Sequence, residues 1–182
     1  MHNIGVPQIA PLFGADSRGV LRGNVPFRRA DGKLAEDGDE DWGLFDITQE
    51  EDDRYKFRTP PLRNLATHPT FFHNGSFTRL EDAVRHHLNV EKSLKAYDPA
   101  AAGIAPDLRR KANNVDALLQ RLDPRVKTPI ALSDDEFNDL LAFVRDGLLD
   151  SRVEPENLRR LIPTSLPSGE SVAEFERPAT AP

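Results

Sequence analysis

Residues 71–87 read FFHNGSFTRLEDAVRHH, and this stretch decides how the chain folds. Asn74-Gly75 is a strong turn dipeptide. Thr78-Arg79-Leu80-Glu81 follows as a capping box, in which the threonine hydroxyl accepts from the backbone N–H three residues on and Glu81 reaches back. The pattern predicts a helix from there to about Leu88. Leu80, Ala83, Val84 and His87 recur at helical spacing, so His87 falls on the apolar stripe. His86 is turned about 100° toward the polar side and is expected in solvent. An imidazole on a core-facing stripe needs a partner. Spacing alone leaves two readings of His87, a hydrogen-bonded core histidine or a metal ligand, and favours the first. His73, just before the turn, is expected to fix it by bonding backbone. His68 and His2 read as loop residues without a role.

Two further helices flank this one in the pattern. Leu108, Ala112, Val115, Leu119 and Leu122 mark one face of a helix within 107–122, which Asp123-Pro124 ends. Ser133-Asp134-Asp135-Glu136 is a second capping box. Phe137, Leu140, Leu141, Val144 and Leu148 form the stripe behind it, with Gly147 placed to help end the helix. Strand signals are weak. Residues 1–60 are punctuated by Gly and Pro and carry the acidic run EDGDEDWG at 36–43, which is loop chemistry. From residue 163 onward the chain reads as an extended end.

The 182 residues suffice for one domain with a core. A formal net charge of −6 argues against a nucleic-acid binder, and no apolar run approaches a membrane span. MHNIGVPQIAPLFG has neither a charged start nor a continuous apolar stretch and does not read as a signal peptide. Cysteine is absent, which excludes disulfides, thiolate metal sites and a cysteine nucleophile. The histidines form no spaced zinc chelate, and there is no nucleotide-binding glycine motif or nucleophile elbow.

The other informative segment is KFRTPPLRN at 56–64. Pro60-Pro61 holds an extended backbone, flanked by Arg58 and Arg63. Arginines so placed are either exposed loop residues or bidentate contacts to a buried anion.

Together, KFRTPPLRNLATHPTFFHNGSFTRLEDAVRHH resembles the C-terminal haem domain of bacterial di-haem cytochrome c peroxidases and the related MauG-like enzymes. The family reads roughly K-F-x-T-P-x-L-R-N, then an aromatic-aromatic/Met-H-[DN]-G-[SA] turn, then T-L-E-x-[AV]-V. HNIGVPQ at 2–8 resembles the segment following that domain's haem-attachment motif. The helix at 132–150 resembles the last cytochrome c helix, and LIPTSLPSG resembles a tail of one branch. The resemblance covers most of residues 2–169, with its specific part at 55–87.

The resemblance implies a mainly α, cytochrome c-like helical domain with long irregular loops and its first helix missing. Residues 1–54 would be its loop-rich N-terminal part, 55–150 the helical core and 151–182 an extended tail. It implies a haem cofactor on the electron-accepting, low-spin side of a peroxide-reducing or MauG-like oxidoreductase. The distal axial ligand, Met in the peroxidases and Tyr in MauG-like members, falls on His87. An imidazole there would lower the haem potential, because Met ligation raises it. Arg63 would contact a propionate or order the loop, and Asn64 and His73 would shape the pocket. The family's calcium segment matches 68–70, which departs from the usual Thr-Ala-Pro and counts against calcium.

Cys-x-x-Cys-His does not occur, so covalent haem attachment within this chain is impossible. The chain is then a truncated or mis-started gene product, which is favoured, one part of a split protein, or a haem-free interaction module. The implied partners are the missing N-terminal haem domain, or a protein supplying it, and a small electron-donor protein. No nucleic acid or membrane is expected. The implied compartment is the periplasm.

Overall fold

The computed structural model describes residues 1–9, 14–15, 21–22, 41–109 and 115–172. Within them the protein is mainly helical. Strand structure amounts to a two-residue antiparallel pair, β1 (Gly14–Ala15) with β2 (Leu21–Arg22), and a few isolated bridges. The helices are α1 (Phe45–Thr48), α2 (Leu80–Leu88), α3 (Val90–Ala96), α4 (Val115–Gln120), α5 (Pro124–Lys127), α6 (Asp134–Ala142) and α7 (Pro155–Arg159). A single π-helical turn, Phe143–Gly147, extends α6.

α6 begins as its sequence requires. The Ser133 hydroxyl accepts from the Glu136 N–H, and the Glu136 carboxylate accepts from the Ser133 N–H at 2.8 Å. The Ser133 backbone N–H, then its hydroxyl, both donating to the Glu136 carboxylate, hold that carboxyl below its ordinary range. Phe137, Leu141 and Val144 are buried along the predicted stripe. α2 reaches Leu88 as expected but starts differently. Arg79 is its N-cap, without a side-chain cap. The Thr78 hydroxyl is diverted from the predicted box and donates to the Ala102 carbonyl at 2.7 Å. Glu81 and Asp82 still place negative charge in the first turn, where the helix dipole favours it.

The α4 stripe is rotated from the prediction. Leu122 is buried as predicted, but Leu118, off the predicted stripe, is buried too, Leu108 is 44% exposed, and Pro106–Leu108 is a 3₁₀ turn ahead of α4. Ala112 lies outside the described residues. Asp123 does end this segment, and its carboxylate accepts from the Arg125 N–H to cap α5. Residues 151–172 are less extended than their composition suggests, since they hold α7 and a 3₁₀ turn at Ser151–Val153. The final ERPATAP lies outside the described residues, as does most of the acidic run.

The main core joins α2, α6 and the loops between them. Ile9, Phe71, Phe77, Leu80, Ala83, Tyr97, Ile104, Phe137, Leu141 and Val144 pack together. A fully buried leucine or phenylalanine contributes about 2 kcal/mol, so this cluster is the main apolar stabilisation. Tyr55, Leu94 and Leu118 form a smaller cluster, with Trp42 and Leu119 against it.

Residues 1–9, which the sequence pattern reads as irregular loop, thread between the two clusters as a strap. Asn3, Val6, Gln8 and Ile9 are buried. An irregular backbone can be buried only if its polar groups find partners, and side chains supply them. Asn3 donates to the Leu118 carbonyl at 3.0 Å and accepts from the Gly5 N–H. Gln8 clasps the Asp41 backbone through both its N–H and its carbonyl oxygen. Asn74 donates to the Pro7 carbonyl at 2.8 Å. Gly5 has φ +63°, and a Cβ there would lie 2.5 Å from Val90 Cγ1. Both the backbone angle and the contact require glycine.

Candidate functional site

α2 carries two consecutive histidines with opposite surroundings. His86, expected in solvent, is fully buried. Its Nε2 lies 2.8 Å from the Ile4 carbonyl oxygen, which can only accept, so Nε2 carries the proton. Nδ1 then accepts from the Ser93 hydroxyl at 2.9 Å. Burial pushes the ring's pKa down to about 4, partly opposed by the Ile4 bond, with His87 lowering it slightly further. His86 is therefore a neutral clasp joining the strap, α2 and α3. The helical period could not show this, because the strap that covers His86 has no period of its own.

His87 is the reverse case. At about 100° per residue it falls between Leu80 and Ala83 on the helical wheel, and both of those are buried. His87 is nevertheless exposed. Its Nδ1 donates to the Ala83 carbonyl at 2.8 Å. With that proton placed, Nε2 of the neutral ring carries a lone pair. A neutral imidazole with one nitrogen tied to a backbone carbonyl is the usual arrangement of a metal-binding histidine. The His87 ring also stacks on Phe72, with centroids 5.4 Å apart and planes 18° apart.

Phe72 has φ +65°, which costs a non-glycine residue about 1–2 kcal/mol. Its own ring meets His86 edge-on at 5.1 Å and Phe77 at 5.2 Å. Other partly buried apolar side chains on the core margin are Leu65, Val84 and Leu140, and Phe143 of the π turn is 58% exposed.

Arg63 and Asn64 lie together at the far end of α6. Asn64 takes the left-handed conformation that asparagine tolerates (φ 63°), and its side-chain oxygen accepts from the Asp150 N–H at 2.7 Å. Arg63 is exposed and pairs with Asp150 at 3.4 Å. The Arg152 guanidinium, then its backbone N–H, hold the Asp150 carboxyl down at about 2. The pair thus ties the 58–70 loop to the end of the π turn, an ordering contact.

His73 does not bond backbone as expected. It pairs through Nε2 with Asp41 at 3.2 Å and stacks on Phe57 with centroids 3.6 Å apart. The turn is fixed instead by Asn74, whose side chain accepts from the Ser76 N–H. It is fixed also by Tyr97, whose hydroxyl donates to the Ser76 carbonyl at 2.5 Å. Burial pushes the Tyr97 hydroxyl up to about 12, with Asp98 adding to the rise. The Ser76 hydroxyl, fully buried, has no partner among the described residues.

His2, expected to be idle, closes the strap onto Asp123 at 2.6 Å. A separate cleft of about 500 Å³ lies beside α2 and α3 and is lined by Arg85, Lys92, Tyr97, Ile130 and Phe137, but by none of the candidate ligands.

The residues around His87 fit a haem in one respect, an open imidazole nitrogen beside the apolar ring of Phe72. They fit it as one axial ligand only. His2 and His73 are paired with carboxylates, and both nitrogens of His86 are in use. No group of three or more histidine, cysteine or acidic side chains able to hold a metal ion occurs among the described residues. None of their helices is long and apolar enough to cross a membrane.

No protein-family model matches the chain, and no solved structure matches it. A cytochrome c551 peroxidase of Pseudomonas aeruginosa is 32% identical over 106 residues, which is 57% of this chain and 27% of that protein. The chain thus spans about a quarter of the length of the curated relative it matches. Over a little more than half of its own length, this chain is similar to a cytochrome c peroxidase.

Proposed function

We propose that this chain forms the axial-ligand face of a haem electron-transfer site in a cytochrome c peroxidase-like oxidoreductase. The observation that carries the reading is His87: its Nδ1 is tied to the Ala83 carbonyl and its ring is exposed. The similarity to a cytochrome c551 peroxidase supports the reaction class.

Bound haem would supply one-electron chemistry, moving electrons toward a peroxide-reducing or substrate-oxidising centre elsewhere. In that arrangement His87 would hold the iron through Nε2, the nitrogen not bonded to the Ala83 carbonyl. The Phe72 ring stacked on His87 would give it an apolar neighbour, and an apolar surround of a metal ligand tunes a redox potential. Arg63, Asn64 and Asp150 keep the neighbouring loop closed against the end of the π turn.

The cysteine-free chain cannot attach haem covalently, so a haem held here would be non-covalent or supplied by another part of the assembly. The partners in this reading are a domain or protein that supplies the haem and a small electron donor, in the periplasm. The isolated chain is expected to show little or no peroxidase turnover. The lack of cysteine favours a second reading, in which the same open face binds another protein without haem.

A haemin titration of the purified chain, followed by absorbance, tests the proposal with His87→Ala alongside. A saturable spectrum that changes in the variant supports haem ligation. Identical spectra for both proteins, or no saturable binding, would sink it in favour of the interaction module.

A further inference from the structure

We propose that Phe72 is the positioning residue that holds the His87 imidazole with Nε2 outward; this rests on His87 being a ligand. Phenylalanine is bulky, and at φ +65° it is a backbone outlier. Such strain persists only where the surroundings over-determine it, and it clusters at functional sites.

The surroundings of Phe72 are specific. Its ring is anchored edge-on by His86, which is itself fixed by bonds to the Ile4 carbonyl and the Ser93 hydroxyl. The opposite partner is His87, stacked 18° from parallel. The Ala83 carbonyl fixes the rotation of the His87 ring in its own plane, and Phe72 fixes the plane. His86, edge-on at 6.0 Å, closes the remaining side. A side chain at the end of a helix, exposed and without these contacts, would sample several rotamers. Here fixation runs from the strap through His86 and Phe72 to His87. The ligand nitrogen is oriented before anything binds, which lowers the ordering cost of binding.

The test uses the full chain, labelled with ¹⁵N, at about pH 8, where an imidazole is neutral. Long-range ¹H–¹⁵N correlation reports which His87 nitrogen carries the proton. The expected result is Nδ1–H in the wild type and in Phe72→Tyr, which keeps the stack. Phe72→Leu keeps an apolar side chain but loses the flat face, and is expected to show mixed tautomers. Phe72→Gly relieves the backbone and removes the ring, so a purely conformational role predicts a stable protein with an unchanged tautomer. The positioning role predicts the mixed signal again.

Haemin titration of the same proteins is expected to weaken about fivefold to tenfold in Phe72→Leu and less than about twofold in Phe72→Tyr. A wild-type His87 protonated on Nε2, or a folded Phe72→Leu with wild-type tautomer and affinity, overturns the inference. If Phe72→Leu does not fold, Phe72→Met and the wild-type tautomer decide. Should no protein bind haemin while the tautomer still follows Phe72, the haem reading fails and the positioning stands. Haemin binding through His87 that ignores Phe72 keeps the haem reading and overturns the positioning.

Discussion

His86 and His87 are the same side chain on adjacent residues of α2, and the fold uses them for opposite ends. His86 faces the strap, loses all contact with solvent and spends both nitrogens on protein groups. His87 faces outward, spends one nitrogen on its own helix and stacks on Phe72. The difference comes from what covers each side of α2. Residues 1–9 lie over His86, while no described segment closes over His87. One histidine is therefore a stability element and the other a candidate site.

The largest effect should come from His86→Ala. It removes two buried hydrogen bonds, leaves the Ile4 carbonyl unpaired and opens a cavity. A loss of about 3–5 kcal/mol is expected from such a change. Urea denaturation measures it, and a loss below about 1 kcal/mol would remove the contrast between the two histidines.

Acid should act on the same clasp. The His86 pKa is lowered from 6.5 to about 4 by burial. The unfolded chain therefore binds the proton more readily than the folded one. Stability from this group is full above about pH 6.5 and is lost as the pH falls toward 4, by about 3 kcal/mol in all. Denaturation midpoints of the haem-free chain measured from pH 7 to pH 4 check the slope. His86→Gln should flatten it.

Smaller effects separate the strap and the helices from the site. Gln8→Ala breaks the clasp on the partly buried Asp41 backbone and should cost about 1–2 kcal/mol, because two backbone groups lose their partner. Ser133→Ala removes the α6 cap and should cost about 1 kcal/mol by thermal unfolding. His87→Ala should change stability by less than about 0.5 kcal/mol, as exposed substitutions do, yet should remove the ligand-dependent part of a haemin spectrum. Ser76→Ala should be neutral or slightly stabilising, since the buried hydroxyl has no partner among the described residues.

Much of the helical frame can be read without coordinates. The α6 capping box forms as spelled, because cap and carboxylate lie within one turn and need nothing from elsewhere. The Thr78 box fails for the complementary reason: the Ala102 carbonyl, 24 residues away, takes the hydroxyl. The buried face of α4 is centred on Leu118 rather than on the predicted stripe, since stripe patterns do not say which neighbour covers which flank.

The sequence by itself determined what depends on short range: the turn at Asn74-Gly75, the end of α2 at Leu88, and the cap and apolar stripe of α6. The tertiary structure alone decided that His86 is buried and His87 exposed, that the irregular residues 1–9 enter the core, and that Arg63 and Asn64 close on Asp150. Burial is a property of pairs of segments. An irregular strap with no hydrophobic period leaves no mark on the helix it covers, and contacts across 80 or more residues have no local signature.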